Sequence, residues 1–301
     1  MTDAPEPRHG RETFFIEGEG VVGAEASDLG PAPAPPTTPA AGLTAPRTAA
    51  AADAVPDFRF SRLGPKGVKT SVGMRRKVAL AMTSAPPTAG GIPAGYTYLG
   101  QFVDHDLTFD ATKVTFGDLV FPAHLVQGRS PALDLDSLYG AGPLDPVSEA
   151  FYDPDGQHLK TGRTVAAGDP AMDGFDLPRK GTGTAAQKRK ALIPDHRNDE
   201  NLAVAQTHLA FIRFHNRVLD RLHPNTPPAA RFEKARRRVV LHYQWMLRTD
   251  YLPRICDKGI VDDVFTNGRK AFEVGASPLS VPTMPVEFSV AAFRFGHSMV
   301  R

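Results

Sequence analysis

The sequence predicts a mainly α-helical fold with long ordered connections, and three observations predict it. Two stretches in the C-terminal half carry apolar residues at three- and four-residue steps, the period of an amphipathic helix. Strand-like alternation is scarce along all 301 residues. Residues 111–195 are dense in Gly, Pro, Asp and Thr with only short apolar pieces between them. That pattern marks long loops rather than long elements, and such loops in a compact domain are usually functional.

The chain divides by composition. From Gly23 to Pro56 it is rich in Ala and Pro and nearly free of large apolar residues. Such a segment buries too little area to offset its ordering entropy, so residues 1–57 read as an N-terminal arm with a flexible Ala/Pro-rich segment. Residues 58–301 read as one domain. Its first expected helix carries "YLGQFVDHDLTFD", with Leu99, Phe102, Val103 and Leu107 spaced to face a core. In "ENLAVAQTHLAFIRFHNRVLDRLH" the stripe is Leu202, Ala205, Leu209, Ile212, Leu219 and Leu222. In "RFEKARRRVVLHYQWMLRTDYLP" it is Phe232, Ala235, Val239, Tyr243, Met246 and Leu247, with Pro253 marking the expected end. A last apolar piece, "VEFSVAAFRFGHSMVR", reads as another helix that stops without a polar tail or cap, as if cut inside a domain.

Charge and cysteine content exclude several classes. With 35 basic against 33 acidic residues the formal charge is +2, which advertises no nucleic-acid or anionic-membrane partner. The runs "KRK" at 188–190 and "RRR" at 236–238 read as solvated helix faces. A single cysteine, Cys256, rules out an intrachain disulfide framework and any Cys-rich metal site. The N-terminus lacks a basic region followed by an apolar run, and no stretch of roughly 18 apolar residues offers a membrane span. The default expectation is a cytoplasmic or unconventionally released protein.

Four polar constellations stand out. In Asp104-His105-Asp106 adjacent helical side chains lie about 100° apart, so the two carboxylates cannot serve the imidazole alike. A hydrogen-bonded core histidine, a metal site and a catalytic base all remain open there. In "RSPALDLDSLYG", Ser130, Ala132, Asp134 and Asp136 fall at every second position. A hydroxyl, a carbonyl and two carboxylates could converge as hard oxygen ligands for calcium, or the segment could be a capped turn. In "DHRNDEN", Arg197 and Glu200 share one face of a helical first turn that Asp195 or Asn198 could cap; the plain alternative is a surface ion pair. In "AAFRFGHSMV", Arg294 and His297 lie three apart. His297 could be a satisfied core residue or an axial haem ligand.

Taken in order, "GQFVDHDLTF", "LDLDSLYG", "RNDENLAVAQTHLAFIRFHNRV", "TDYLP" and "AAFRFGH" resemble the motifs of the animal-type haem peroxidases, the superfamily of myeloperoxidase, lactoperoxidase and the cyclooxygenases. The resemblance covers roughly residues 58–301 and implies a helical domain of that family, of bacterial type, with its C-terminal part missing. It implies haem b and one calcium ion as cofactors, and hydrogen peroxide plus a halide, a phenol or another small electron donor as reactants. It makes His105 the distal base, Arg197 the distal arginine and His297 the proximal iron ligand. Asp106, Ser130, the carbonyl of Ala132, Asp134 and Asp136 match calcium ligands, while Asp104 and Glu200 match carboxylates that form ester links to the haem.

Arg294 is placed near the haem propionates or the proximal side. Asn201 stands where some members carry a haem-linked methionine, so no sulfonium link is expected. The asparagine that steadies the proximal histidine in this family lies beyond residue 301, which implies a fragment, or one piece of a split protein with a separate C-terminal partner. Two other functions stay open: a fatty-acid oxygenase of the same superfamily, and a non-catalytic, calcium-stabilised interaction protein. Secretion is also compatible with the resemblance.

Overall fold

The computed structural model describes residues 15–16, 58–65, 67–84, 91–112, 119–121, 124–164, 174–276 and 280–299. The Ala/Pro-rich segment lies outside them. Among the described residues the architecture is helical, as expected, with strands of only two to four residues. The helices are α1 (Val72–Ser84), α2 (Gly95–Leu107), α3 (Asp136–Tyr139), α4 (Ala185–Arg189), α5 (Leu202–Asp220), α6 (Pro228–Met246), α7 (Leu252–Ile255), α8 (Lys258–Asn267) and α9 (Val286–Val290). None is long and apolar enough to cross a membrane.

The strands serve as clips between distant segments. β1 (Phe15–Ile16), inside the N-terminal arm, pairs in parallel with β3 (Leu119–Val120). β2 (Phe58–Ser61) lies between β4 (Val126–Gln127), antiparallel, and β7 (Met284–Pro285), parallel. β5 (Gly162–Thr164) and β6 (Gly174–Asp176) form an antiparallel pair. The start of the main domain is thereby tied to the segment that leads into its last helices.

The core forms where α2, α5 and α6 pack together. Phe102 and Val103 of α2 are buried, and Leu99 and Leu107 pack against them from the rim. Phe102 is fully buried, stacks on Phe211 at 4.8 Å between centroids, and stands edge-on to His208 and Tyr243. Truncating such a side chain to Ala costs about 3–5 kcal/mol. The α5 stripe is buried except at Leu202, which is 76% exposed. Leu202 is the first helical residue, and its side chain projects beyond the packed turns. Asn201 opens α5 by accepting a hydrogen bond from Val204 N at 2.9 Å, in place of the expected Asp195 or Asn198.

Pro253 does not end the second long helix. After α6 the chain makes a π-helical turn, Leu247–Tyr251, and continues as α7 to Ile255. Pro253 falls directly after the π-helical turn, whose wider winding accommodates a residue without an N–H. The final apolar piece is helical in two parts, α9 and a 3₁₀ segment Ala292–Met299, broken at Ala291. Lys188, Arg189, Lys190, Arg237 and Arg238 are exposed, and Arg236 is half-buried over the Tyr139 ring.

Candidate active site

The last turn of α2 presents its three polar residues to three different parts of the chain. Asp104, His105 and Asp106 are all buried. Asp104 pairs with Arg294 at 2.7 Å and accepts a hydrogen bond from the Thr108 hydroxyl. Burial pushes its carboxyl up from the usual range, and the Arg294 guanidinium opposes that shift.

His105 is fully buried, and its Nδ1 lies 2.8 Å from Asn198 Oδ1. The same Asn198 amide donates from Nδ2 to His208 Nδ1 at 3.0 Å. An amide oxygen can only accept, so His105 carries its proton on Nδ1, and Nε2 is left as the basic nitrogen. His208 is held neutral, its pKa lowered to about 4 by burial.

Arg197 lies 98% out of solvent beside this pair. Its Nε and Nη2 grip Asp195 at 3.0 and 2.7 Å, and Nη2 also donates to the His105 carbonyl at 3.0 Å. Arg129 closes the network from the other side through Asp195 and the same carbonyl. Asp195 is held well below the usual carboxylate range by the two guanidiniums, which outweigh its burial. Asp195 also accepts from Arg197 N and so closes the 3₁₀ turn His196–Asp199 that carries Arg197 and Asn198. The Glu200 carboxylate accepts from Gln101 Nε2 at 3.1 Å. Its pKa is raised to about 7, chiefly by burial.

Asp106 faces the Ser130–Asp136 loop. It accepts from Ser137 Oγ at 2.8 Å and from the Ser137 and Leu135 amides. Leu133 and Leu135 both adopt left-handed backbone (φ 54° and 61°), a conformation uncommon for leucine that interrupts the alternation of the loop. Part of the capped-turn reading is therefore realised: Asp136 Oδ2 accepts from Ser130 N, and the Ala132 carbonyl accepts from Gln244. Asp134 Oδ1 and Asp136 Oδ1 are nonetheless buried without a hydrogen-bond partner. Burial and mutual repulsion push Asp106 up to about 8 and Asp136 to about 6.

A cavity of about 380 Å³ opens beside α2. Its wall includes Gln101, Asp104, Glu200, Tyr251, Arg294 and His297. The structure thus gathers four of the expected site residues at one cavity and sets His105 with Arg197 in the buried network behind it. His105 does not line the cavity. Arg197 lines a second, smaller cavity of about 50 Å³, which Arg294 shares.

Comparison with known proteins fits this layout. The animal haem peroxidase family model matches residues 122–301, from before the oxygen-rich loop to the end of the chain. The chain belongs to the animal haem peroxidase family. A peroxidase-like protein of Margaritifera margaritifera is 32% identical over 151 residues, covering 47% of this chain and 18% of that protein. Thyroid peroxidase of Rattus norvegicus is 29% identical over 197 residues, 62% of this chain and 21% of its own length. The probable oxidoreductase PXDNL of Homo sapiens is 28% identical over 192 residues, 61% of this chain and 12% of its own. The chain therefore spans about a fifth or less of the length of these relatives.

Four residues of this buried network escape a reading of the sequence: Arg129, Asp195, Asn198 and His208. Asp195 and Asn198 read as caps, and Arg129 and His208 carry no local signature of their own. Among the described residues no three His, Cys, Asp or Glu side chains stand ready as a metal cluster. Asp134 Oδ1, buried without a hydrogen bond, and Asp136 Oδ1, which meets Arg129 Nε only at 3.8 Å, still suit a hard cation together with the crowded acids beside them. For haem, the histidine, the two carboxylates and Arg294 at one cavity form a compatible set of donors and charges.

Proposed function

We propose that this chain carries the haem site of a peroxidase that reduces hydrogen peroxide and oxidises a halide, a phenol or another small donor. One observation carries the reading: a tautomer-fixed His105 and a buried Arg197 locked in a single network on α2 and the turn before α5. His297, at the cavity wall, would ligate the iron of haem b, with Asp104 and Glu200 along its edge and Arg294 near its carboxylates. Bound haem would supply the iron that accepts peroxide oxygen and stores oxidising equivalents.

The protein's own work is proton transfer and charge stabilisation. His105 Nε2 would take a proton from one oxygen of hydrogen peroxide and return it to the other as that oxygen departs. Arg197, its geometry fixed by Asp195, would stabilise the negative charge that grows as the O–O bond breaks. Asp106, Ser130, the Ala132 carbonyl, Asp134 and Asp136 would hold calcium, which steadies the residue next to His105.

The test is reconstitution with hemin. The expected outcome is a Soret band lost in His297→Ala, and peroxide-dependent guaiacol oxidation lost in His105→Ala with the Soret band retained. A folded wild-type chain that takes up no haem would overturn the proposal.

A further inference from the structure

The cavity wall is joined to the protein surface by two stacked tyrosines. Tyr251, buried, lines the cavity; its hydroxyl lies so close to α2 that a Cβ on Gly100 would come within 2.3 Å of it. Its ring stacks on Tyr96, half-buried in the first turn of α2, at 6.3 Å between centroids and 17° between planes. The Tyr96 hydroxyl donates to Asp250 Oδ2 at 2.5 Å, and Asp250 in turn pairs with exposed Arg254 at 2.7 Å. The Asp250 side chain is 41% exposed, so a proton placed on it can exchange with water. The π-helical turn Leu247–Tyr251 sets this up, because it presents its consecutive residues Asp250 and Tyr251 to the same partner, Tyr96. Such turns are concentrated at functional sites.

Resting on the haem peroxidase reading above, we infer that Tyr251 and Tyr96 form an electron route from the haem cavity to a second, surface site where phenolic donors too bulky for the cavity are oxidised. The chemistry balances one electron at a time. One electron leaves Tyr96 for the peroxide-oxidised haem across the stacked Tyr251 ring, which bridges the two and keeps its own proton, as the Tyr96 O–H proton passes to Asp250. The neutral Tyr96 phenoxyl radical then takes an electron from a phenol docked at the surface. Asp250 returns its proton to the Tyr96 oxygen, and the donor leaves as its own phenoxyl radical after losing its O–H proton to water. A carboxylate already hydrogen-bonded to the hydroxyl makes that proton transfer local. The ground-state signature is a Tyr96 phenol pKa raised, first of all, by its hydrogen bond to Asp250.

The experiment uses the full chain reconstituted with hemin and two donors, guaiacol and tyramine coupled to a large dextran. Tyr96→Phe should lose dextran-tyramine oxidation while keeping guaiacol oxidation. It should also lose the tyrosyl radical that electron paramagnetic resonance detects after peroxide is added without donor. Independently of haem, Asp250→Asn should lower the Tyr96 phenol pKa in a spectrophotometric titration of the unloaded chain. Retained dextran-tyramine oxidation or an unchanged radical in Tyr96→Phe, with guaiacol oxidation intact, overturns the electron route alone. Absence of guaiacol oxidation in a haem-loaded wild-type chain overturns the route together with the peroxidase reading.

Discussion

Asn198 joins two buried histidines and offers the most direct test of how the His105 imidazole is oriented. Its oxygen accepts from His105 Nδ1 and its nitrogen donates to His208 Nδ1, with all three residues fully buried. In Asn198→Leu the branched shape of the side chain is kept and both hydrogen bonds vanish. Each buried partner stranded without a hydrogen bond costs about 1–3 kcal/mol. The expected loss is about 2–6 kcal/mol for the two stranded imidazoles. Urea denaturation would report it as a lower midpoint with an unchanged slope.

Asn198→Asp separates structure from chemistry. A carboxylate has no N–H to donate, so His208 must move its proton from Nε2 to Nδ1, whereas His105 keeps its proton on Nδ1. Imidazole ¹⁵N shifts in the histidine-labelled chain read both tautomers directly, without haem. The reasoning is refuted by a wild-type spectrum with His105 protonated on Nε2 and His208 on Nδ1, or by an Asn198→Asp spectrum in which His208 does not change.

Three further predictions follow from burial and charge. His208 and His215 both have pKa values lowered to about 4, mainly by burial, against about 6.5 unfolded. Between those values the unfolded chain binds more protons, so stability is complete above pH 6.5 and falls as pH drops towards 4, by about 3 kcal/mol per histidine. Denaturation midpoints across that range should show it, and His208→Phe should remove about half the slope; an unchanged slope would count against the burial argument. Gly100→Ala drives a methyl against the Tyr251 hydroxyl, for an expected cost of about 1–3 kcal/mol. Tyr251→Phe should relieve most of it in the double variant, because the next nearest ring atom lies at 3.4 Å; additive losses would refute the clash. Calcium should raise the thermal midpoint, by the equivalent of about 2.7 kcal/mol at a hundredfold excess over its dissociation constant. Asp134→Asn with Asp136→Asn should abolish the shift, and equal melting in calcium and in chelator would exclude the site.

The helices that build the core are those the sequence shows most clearly, because a buried stripe leaves a 3.6-residue trace. α5 and α6 carry such traces, with Leu202 the exception at an exposed helix start. α1 buries no residue, so its sequence has no stripe to read. The strands are too short for alternation to register. At the site, His105, Arg197 and the alternating acids were visible as residue types in suggestive order. Their partners were not, since Asp195 beside an arginine and Asn198 ten residues before a histidine have many ordinary explanations. Only the tertiary fold brings His208 of α5 onto Asn198, and Arg129 of the acidic loop onto Asp195.

The packing also explains why a single triplet can serve three purposes. Successive side chains on α2 diverge by about 100°, so each meets a different segment. Asp104 meets Arg294 from the last 3₁₀ segment, His105 meets Asn198 before α5, and Asp106 meets Ser137 at the start of α3. Gln127 then closes the helix end, accepting from Phe109 N and donating to the Leu107 carbonyl. The imidazole between the two aspartates is therefore oriented by a helix that is fixed on either side of it. A change in the acidic loop or in the Arg294 segment reaches His105 through one residue of backbone, and no longer pathway is needed to couple the acidic loop to the cavity.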